Sequence, residues 1–181
     1  MIPEQPKELL RIARESIDAH LNGKNYTPLP LSPPFNEPKG IFVTLWGGKQ
    51  NNELRGCIGH IYPEHKLLSD EISECAVLAA TMDNRFAPVS PEELEELDIE
   101  ISILGIPFPI TDLKSQNPKI HGLIVSKGYR KGLLLPDIEG VDNGEVQLKI
   151  CKQKAGIDQN AEVKLERFEV VKISETKALR G

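Results

Sequence analysis

Gly40-Ile41-Phe42-Val43-Thr44-Leu45-Trp46, answered a few residues later by Leu54-Arg55-Gly56-Cys57-Ile58-Gly59-His60-Ile61, is the stretch whose reading decides the fold. The first run is dense in β-branched and aromatic residues, which suit a pleated, half-buried surface. Gly47-Gly48 and Asn51-Asn52 supply turn chemistry between the two runs, so together they read as a hairpin. A hairpin is an antiparallel pair, whereas a doubly wound sheet would interpose a helix. Two glycines inside the second run are unusual, because glycine weakens a strand and leaves nothing to pack. They mark a place where the backbone bends, bulges or lets something approach closely.

Outward from the hairpin, Leu67, Leu68, Ile72, Cys75, Ala76 and Ala79 recur at helical spacing and predict a helix over about His65–Thr81. Asp83-Asn84-Arg85-Phe86-Ala87-Pro88 ends it. Ser90 as N-cap, Pro91 at the first helical position and Glu93 closing a capping box start a short helix. Asp98 to Ile103 then alternates with period two, as a strand does. Upstream, Leu9, Leu10, Ile12, Ala13 and Ile17 predict a helix over Pro6–Leu21, with Asn22-Gly23 as its C-cap. The connection over about 23–39 carries Pro28, Pro30, Pro33, Pro34 and Pro38 and is long enough to line or cover something.

Downstream, Pro107 and Pro109 open a turn-rich region that lasts until Leu123-Ile124-Val125. Ser126 to Gly132 reads as a hairpin tip, and 136–144 as an acidic loop. Val146, Leu148, Ile150, Cys151 and Ala155 fit a helix capped by Gly156. Val163 to Ile173 is strand-like, with a phase slip between Arg167 and Phe168 that predicts a bulge or a break. Helices and strands are mixed without βαβ alternation, so the expected class is α+β: a mixed, largely antiparallel sheet with flanking helices.

Composition narrows the function classes. The chain has 181 residues, 27% of them charged, and a net charge of −5, which argues against a broad nucleic-acid surface. Met1 to Lys7 has no apolar core of a signal peptide. No apolar run approaches the roughly 18 residues that a membrane span needs. Three cysteines argue against a disulfide framework and for a reducing cytoplasm. Neither a phosphate-binding glycine loop nor a dinucleotide fingerprint is present.

Among the candidate chemistry, Cys75 and Cys151 fall on apolar helix stripes and read as small core residues. Cys57 differs. On a regular strand Arg55, Cys57 and Gly59 share one face, and Leu54, Gly56, Ile58 and His60 share the other. Arg55 beside the thiol favours thiolate, as a reactive cysteine needs; the alternative is a buried structural cysteine with Arg55 paired to a carboxylate. The same parity separates Cys57 from His60, so a nucleophile–base dyad requires a bulge at Gly56 or Gly59. Zinc asks for three or four ligands, and only Cys57 and His60 form a close pair, so no metal site is predicted. His20 and His65 read as surface residues. Glu100 is a general base, a carboxylate that orients a thiol or ligand, or a salt-bridge partner of Arg55 or Arg85. Arg85 is a candidate anion clamp, and His121, at a strand entry, a candidate neighbour of the same site. Lys127 to Lys131, with Tyr129 between the charges, reads as a solvated loop.

These residues carry a resemblance. Leu54-Arg55-Gly56-Cys57-Ile58-Gly59 matches the signature hexapeptide of the AMMECR domain family. Asp83 to Pro88, Glu100 to Leu104, His121 to Val125, Gly132 to Pro136 and Lys154-Ala155-Gly156 agree with it in order. The resemblance covers nearly the whole chain. It implies one AMMECR-type domain over residues 1–181, built as two unequal subdomains in one compact unit with a cleft lined by the signature residues. Similar proteins occur beside a Memo-type protein and a radical S-adenosylmethionine protein, which implies a shared modification pathway. It names no cofactor and no established activity. Carried over by position, the implied site comprises Arg55, Gly56, Cys57 and Gly59, with Arg85, Glu100 and His121 as cleft neighbours; His60, next to the hexapeptide, is a further binding candidate. Many relatives carry tryptophan after the Leu-Leu-Leu-Pro segment; here Asp137 to Asn143 holds no aromatic residue. Two readings stand: an enzyme or enzyme subunit using Cys57 with Arg55 and Glu100, or a non-catalytic module binding a peptide, nucleotide or partner protein.

Overall fold

The computed structural model describes residues 4–32, 36–47 and 53–175. Along the chain run α1 (Glu4–Leu21), β1 (Ile41–Gly47), β2 (Glu53–His60), α2 (Leu68–Thr81), α3 (Pro91–Leu94), β3 (Asp98–Leu104), β4 (Phe108–Ile110), β5 (His121–Lys127), β6 (Arg130–Leu134), α4 (Gly144–Lys154) and β7 (Lys164–Ser174). The chain divides into two units, the first of residues Met1–Ile103 with Val171–Gly181 and the second of Leu104–Val170. Pro33, Pro34, Gly48, Asn51 and Asn52, read above as loop and turn residues, lie outside the described residues. Both units are α+β with antiparallel strands, as the hairpin reading requires.

In the first unit, β1 pairs antiparallel with β2 on one side and β3 on the other. Ile41, Val43 and Leu45 alternate onto one face of β1 and are fully buried with Ile99 and Ile101 of β3. They join Leu9, Ile12 and Ile17 of α1 and Ile72, Ala76 and Ala79 of α2 in one core. The end of α1 follows the sequence. Gly23 takes the left-handed conformation (φ 65°), and Lys24 N–H donates to the Ala19 carbonyl at 2.8 Å, satisfying a helix-end acceptor. Arg14 of α1 grips Glu175, the residue after β7. Its Nε and Nη2 donate to the Glu175 carboxylate at 2.7 and 2.5 Å, and Glu175 N–H donates to the Ile99 carbonyl at 3.2 Å.

Two expectations change here. The second helix starts at Leu68 rather than His65, because the backbone N–H groups of Glu64 and His65 donate to the Glu71 carboxylate instead of entering the helix. At α3, Ser90 Oγ accepts from Glu93 N–H at 3.2 Å as expected, but Glu93 does not close a capping box. Its side chain is drawn away by the charge of Arg55.

The second unit pairs β5 with β6 and β7, and β4 with β7. Gly128 (φ 59°) turns the β5–β6 hairpin. Asn143 caps α4 by accepting from Val146 N–H at 3.0 Å, and Gly156 (φ 63°) follows its end. Leu123, Val125, Leu134, Val141, Cys151 and Ile157 form the core. The region read as turn-rich contains β4, whose Pro109 is tolerated because the strand pairs on one side only, opposite Glu166. No bulge breaks β7: its ladder to β5 runs without a shift through Arg167 and Phe168. The apparent slip arises because both faces of the strand are covered. Phe168 is fully buried, and a side chain on Gly122 would lie 2.2 Å from its ring. Arg167, on the other face, stacks 4.7 Å from the Phe108 ring centroid. Among the described residues no helix is long and apolar enough to cross a membrane.

Candidate functional site

The register of the first unit builds the site. Thr44 stands opposite Cys57 on one side and Glu100 on the other, so Cys57, Thr44 and Glu100 form a row across three strands. The row lies on the face opposite Ile41, Val43 and Leu45, since neighbours in a strand alternate. Thr44, itself buried, places its Oγ1 3.3 Å from the Cys57 Sγ. β2 is the outer strand of the sheet, and its Cys57 N–H donates to Asp83 Oδ2 at 2.9 Å. The turn after α2 is thereby latched to the signature segment.

The bulge that a Cys57–His60 dyad would need at Gly56 or Gly59 is not there; the irregularity of β2 falls on Arg55 instead. Leu45 pairs with Gly56 and Trp46 with Leu54, leaving Arg55 as the extra residue. Its guanidinium turns to Glu93, with Nε to Oε1 at 2.5 Å and Nη2 to Oε2 at 3.0 Å. Arg85 is engaged in the same bidentate manner by Asp83, at 2.9 and 2.6 Å. The Phe86 ring lies near both guanidinium carbons, at 5.8 Å from Arg55 and 5.4 Å from Arg85. The salt-bridge role considered for Glu100 is thus filled by two other carboxylates. Glu100 is half-buried.

Burial pushes the Cys57 thiol upward; the Thr44 hydroxyl and the charge of Arg85 pull the other way, and the charges of Asp83 and Glu100 add to the rise. The net direction is up, so the thiol keeps its proton at neutral pH. The cation that acts on this thiol is Arg85, not Arg55 as strand parity predicts, because the bulge sends Arg55 to Glu93. Asp83 moves oppositely: hydrogen bonds from Arg85, then those from the Cys57 and Arg85 backbone N–H groups, hold its carboxyl well below the usual range against its burial. A depressed carboxylate stabilises the fold above its unfolded pKa of about 3.9 and loses that contribution as pH falls through the folded value. Asp83→Asn should therefore cost about 1 kcal/mol at pH 7, since the half-exposed Arg85 is screened by solvent. The gap between wild type and variant in denaturant titrations should start to narrow below about pH 4 and go on narrowing as the pH falls further.

The glycines serve the chain itself. A side chain on Gly56 would lie 2.2 Å from the Ala79 carbonyl oxygen of α2. One on Gly59 would lie 2.1 Å from the Ile41 carbonyl oxygen and 2.5 Å from the Phe42 Cα. What approaches closely is thus the neighbouring helix and strand.

His60 points to the helix side, as parity requires. Its Nδ1 is 2.6 Å from Glu71 Oε1 and 3.7 Å from Cys75 Sγ. Glu71 is fully buried, and its Oε2 accepts the Glu64 and His65 N–H groups at 2.8 Å each. Burial and the Glu71 charge push the Cys75 thiol up to about 12; burial does the same for Cys151. Both cysteines are fully enclosed, as expected of core residues. His65 is half-buried and bonds Glu74 at 2.6 Å. His121 belongs to the second unit, where its Nδ1 accepts from Asn117 N–H at 3.3 Å. The structure thus brings Cys57, Thr44 and Glu100 into one row on a strand face of the first unit, with Asp83 and Arg85 beside Cys57, while Arg55 turns to Glu93 and meets that group only through Phe86. Asp83 and Glu93 stood in segments already singled out, but as turn and cap residues. Thr44 emerges only once the hairpin register is known.

A family model described as AMMECR1 matches residues 10–173. A protein of Thermotoga maritima is 49% identical over 137 residues, covering 75% of this chain and 78% of that protein. One of Methanothermobacter thermautotrophicus is 40% identical over 166 residues, covering 85% and 83%. The crystal structure of an uncharacterized protein from Pyrococcus horikoshii superposes with a TM-score of 0.81 at 33% identity, over 94% of this chain and 92% of that one.

Proposed function

The chain belongs to the AMMECR1 family, and from that premise we propose that the polar strand face around Cys57, Thr44 and Glu100 binds a ligand through a protonated thiol rather than attacking it as a thiolate. The observation that carries this reading is how the charges are committed. Each arginine of the site is held bidentately by a carboxylate, and the thiol's burial outweighs the remaining attraction to Arg85. A thiolate nucleophile needs the reverse balance. The row offers a neutral thiol, a hydroxyl and the half-buried carboxylate of Glu100. Such a row selects a small molecule or peptide that brings N–H donors or a positive charge. In a modification pathway with Memo-type and radical S-adenosylmethionine proteins, the chain would hold or present the substrate, and the partner would supply the chemistry.

Alkylation tests this on the intact chain. Iodoacetamide modification of Cys57, followed by mass spectrometry across pH, should rise with an apparent pKa above the ~8.5 of a free thiol. Thr44→Val should move it higher still, because the Thr44 hydroxyl lowers it. An inflection well below that of a free thiol would restore the nucleophile reading.

A further inference from the structure

On the helix side of the same sheet lies a second group of donors that the ligand-binding face does not use. His60 ends β2, while Glu71 and Cys75, four residues apart, share one face of α2. One ligand atom from each lies within 4.8 Å of the others. We propose that His60 Nδ1, Glu71 Oε1 and Cys75 Sγ form a binding site for a thiophilic divalent cation, with Zn2+ the ion whose donor preference fits.

Four features support it. The N, O and S donors are those zinc takes, and three protein ligands leave a fourth position for water. The His60–Cys75 distance of 3.7 Å already matches the roughly 3.5 Å between tetrahedral N and S ligands. The 2.6 Å His60–Glu71 hydrogen bond has to open by about 0.7 Å, within the reach of an imidazole rotation. The carboxylate is also oriented from behind: two backbone N–H groups pin Glu71 Oε2 while Oε1 faces the imidazole and the thiol. Outer partners of this kind fix ligands in metal sites. Finally, one thiolate and one carboxylate cancel the charge of a dication, so the buried complex is neutral.

Binding balances as follows. The cation displaces the Cys75 thiol proton to solvent, and the His60 proton moves from Nδ1 to Nε2. Nε2 faces Glu64 Oε1 at 3.9 Å, on the exposed side of the ring. The sequence pairs His60 with Cys57 by proximity, and only strand parity together with the helix spacing of Glu71 and Cys75 reveals the other partner.

Titrating the reduced full-length chain with Co2+, a spectroscopic substitute for Zn2+, tests the site. One equivalent should produce a sulfur-to-cobalt charge-transfer band, release about one proton per ion, and be displaced by Zn2+. Cys57→Ser should keep the band. Cys75→Ser and His60→Ala, checked for native circular dichroism, should lose it and bind about 100-fold more weakly. No sulfur band in the wild type, or a band that survives Cys75→Ser, overturns the proposal. Binding without a sulfur band would overturn it too, moving the ion to the outer set His60, Glu64 and Glu74.

Discussion

Gly56→Ala should lower the stability of the protein by about 3 kcal/mol, at the upper end of overpacking substitutions. The new methyl would stand 2.2 Å from a backbone carbonyl of α2. A helix packed along its length cannot withdraw at one residue, so the strain spreads into the core shared by β1, β2 and α2. Gly59→Ala meets backbone on the facing strand at 2.1 Å and should cost a similar amount. Gly47→Ala is the control: its nearest neighbour, at 3.5 Å, is an ordinary contact, and its cost should stay within about 0.5 kcal/mol. Urea titrations with matched m-values would show the contrast. Equal midpoints for Gly56→Ala and Gly47→Ala would mean that α2 does not rest on Gly56. The result also decides how variants of the signature hexapeptide are read, because lost function at Gly56 or Gly59 would report lost packing, whereas lost function at Cys57 or Glu100 would report the face itself.

Glu71→Ala has the second largest expected effect, about 3 kcal/mol, from removing the acceptor of three donors at a buried position. The imidazole of His60 and the N–H groups of Glu64 and His65 lose their partner together, and the loop before α2 loses its anchor. Amide exchange at Glu64 and His65 should accelerate well beyond the effect on the core strands. Glu71→Gln keeps one acceptor oxygen and should fall between the two. A Glu71→Ala protein within 1 kcal/mol of wild type would show that solvent replaces the carboxylate, and would remove the argument that it is rigidly oriented.

The sequence discloses local periodicity well and partnership poorly. The hairpin, both long helices, the Ser90 cap and the glycine after α4 are legible because each depends on residues within a few positions of one another. The separation of Cys57 from His60 is legible for the same reason, since parity needs only the strand. β4 is hidden because two prolines argue against a strand until its edge position is known. The middle of β7 misleads because Phe168 and Arg167 are both covered, on opposite faces, which reads as a slip. The partners of the site were least accessible. That Glu93 takes Arg55, Asp83 takes Arg85 and Glu71 takes His60 follows from where α2 and the turns on either side of it come to rest. Arg55 could not be placed without its bulge.

The discontinuity of the first unit has a consequence for synthesis. A chain emerges N-terminus first, so α1, the hairpin and α2 are available early, while Glu175, the residue that Arg14 grips, lies 161 positions later. All of Leu104–Val170 must leave the ribosome before that closure can form. Such distant pairings are slow to find, so α1 and β3 await these contacts until Glu175 has been made. The Arg14–Glu175 pair therefore reports that translation has passed β7, since it forms only once Glu175 has been made.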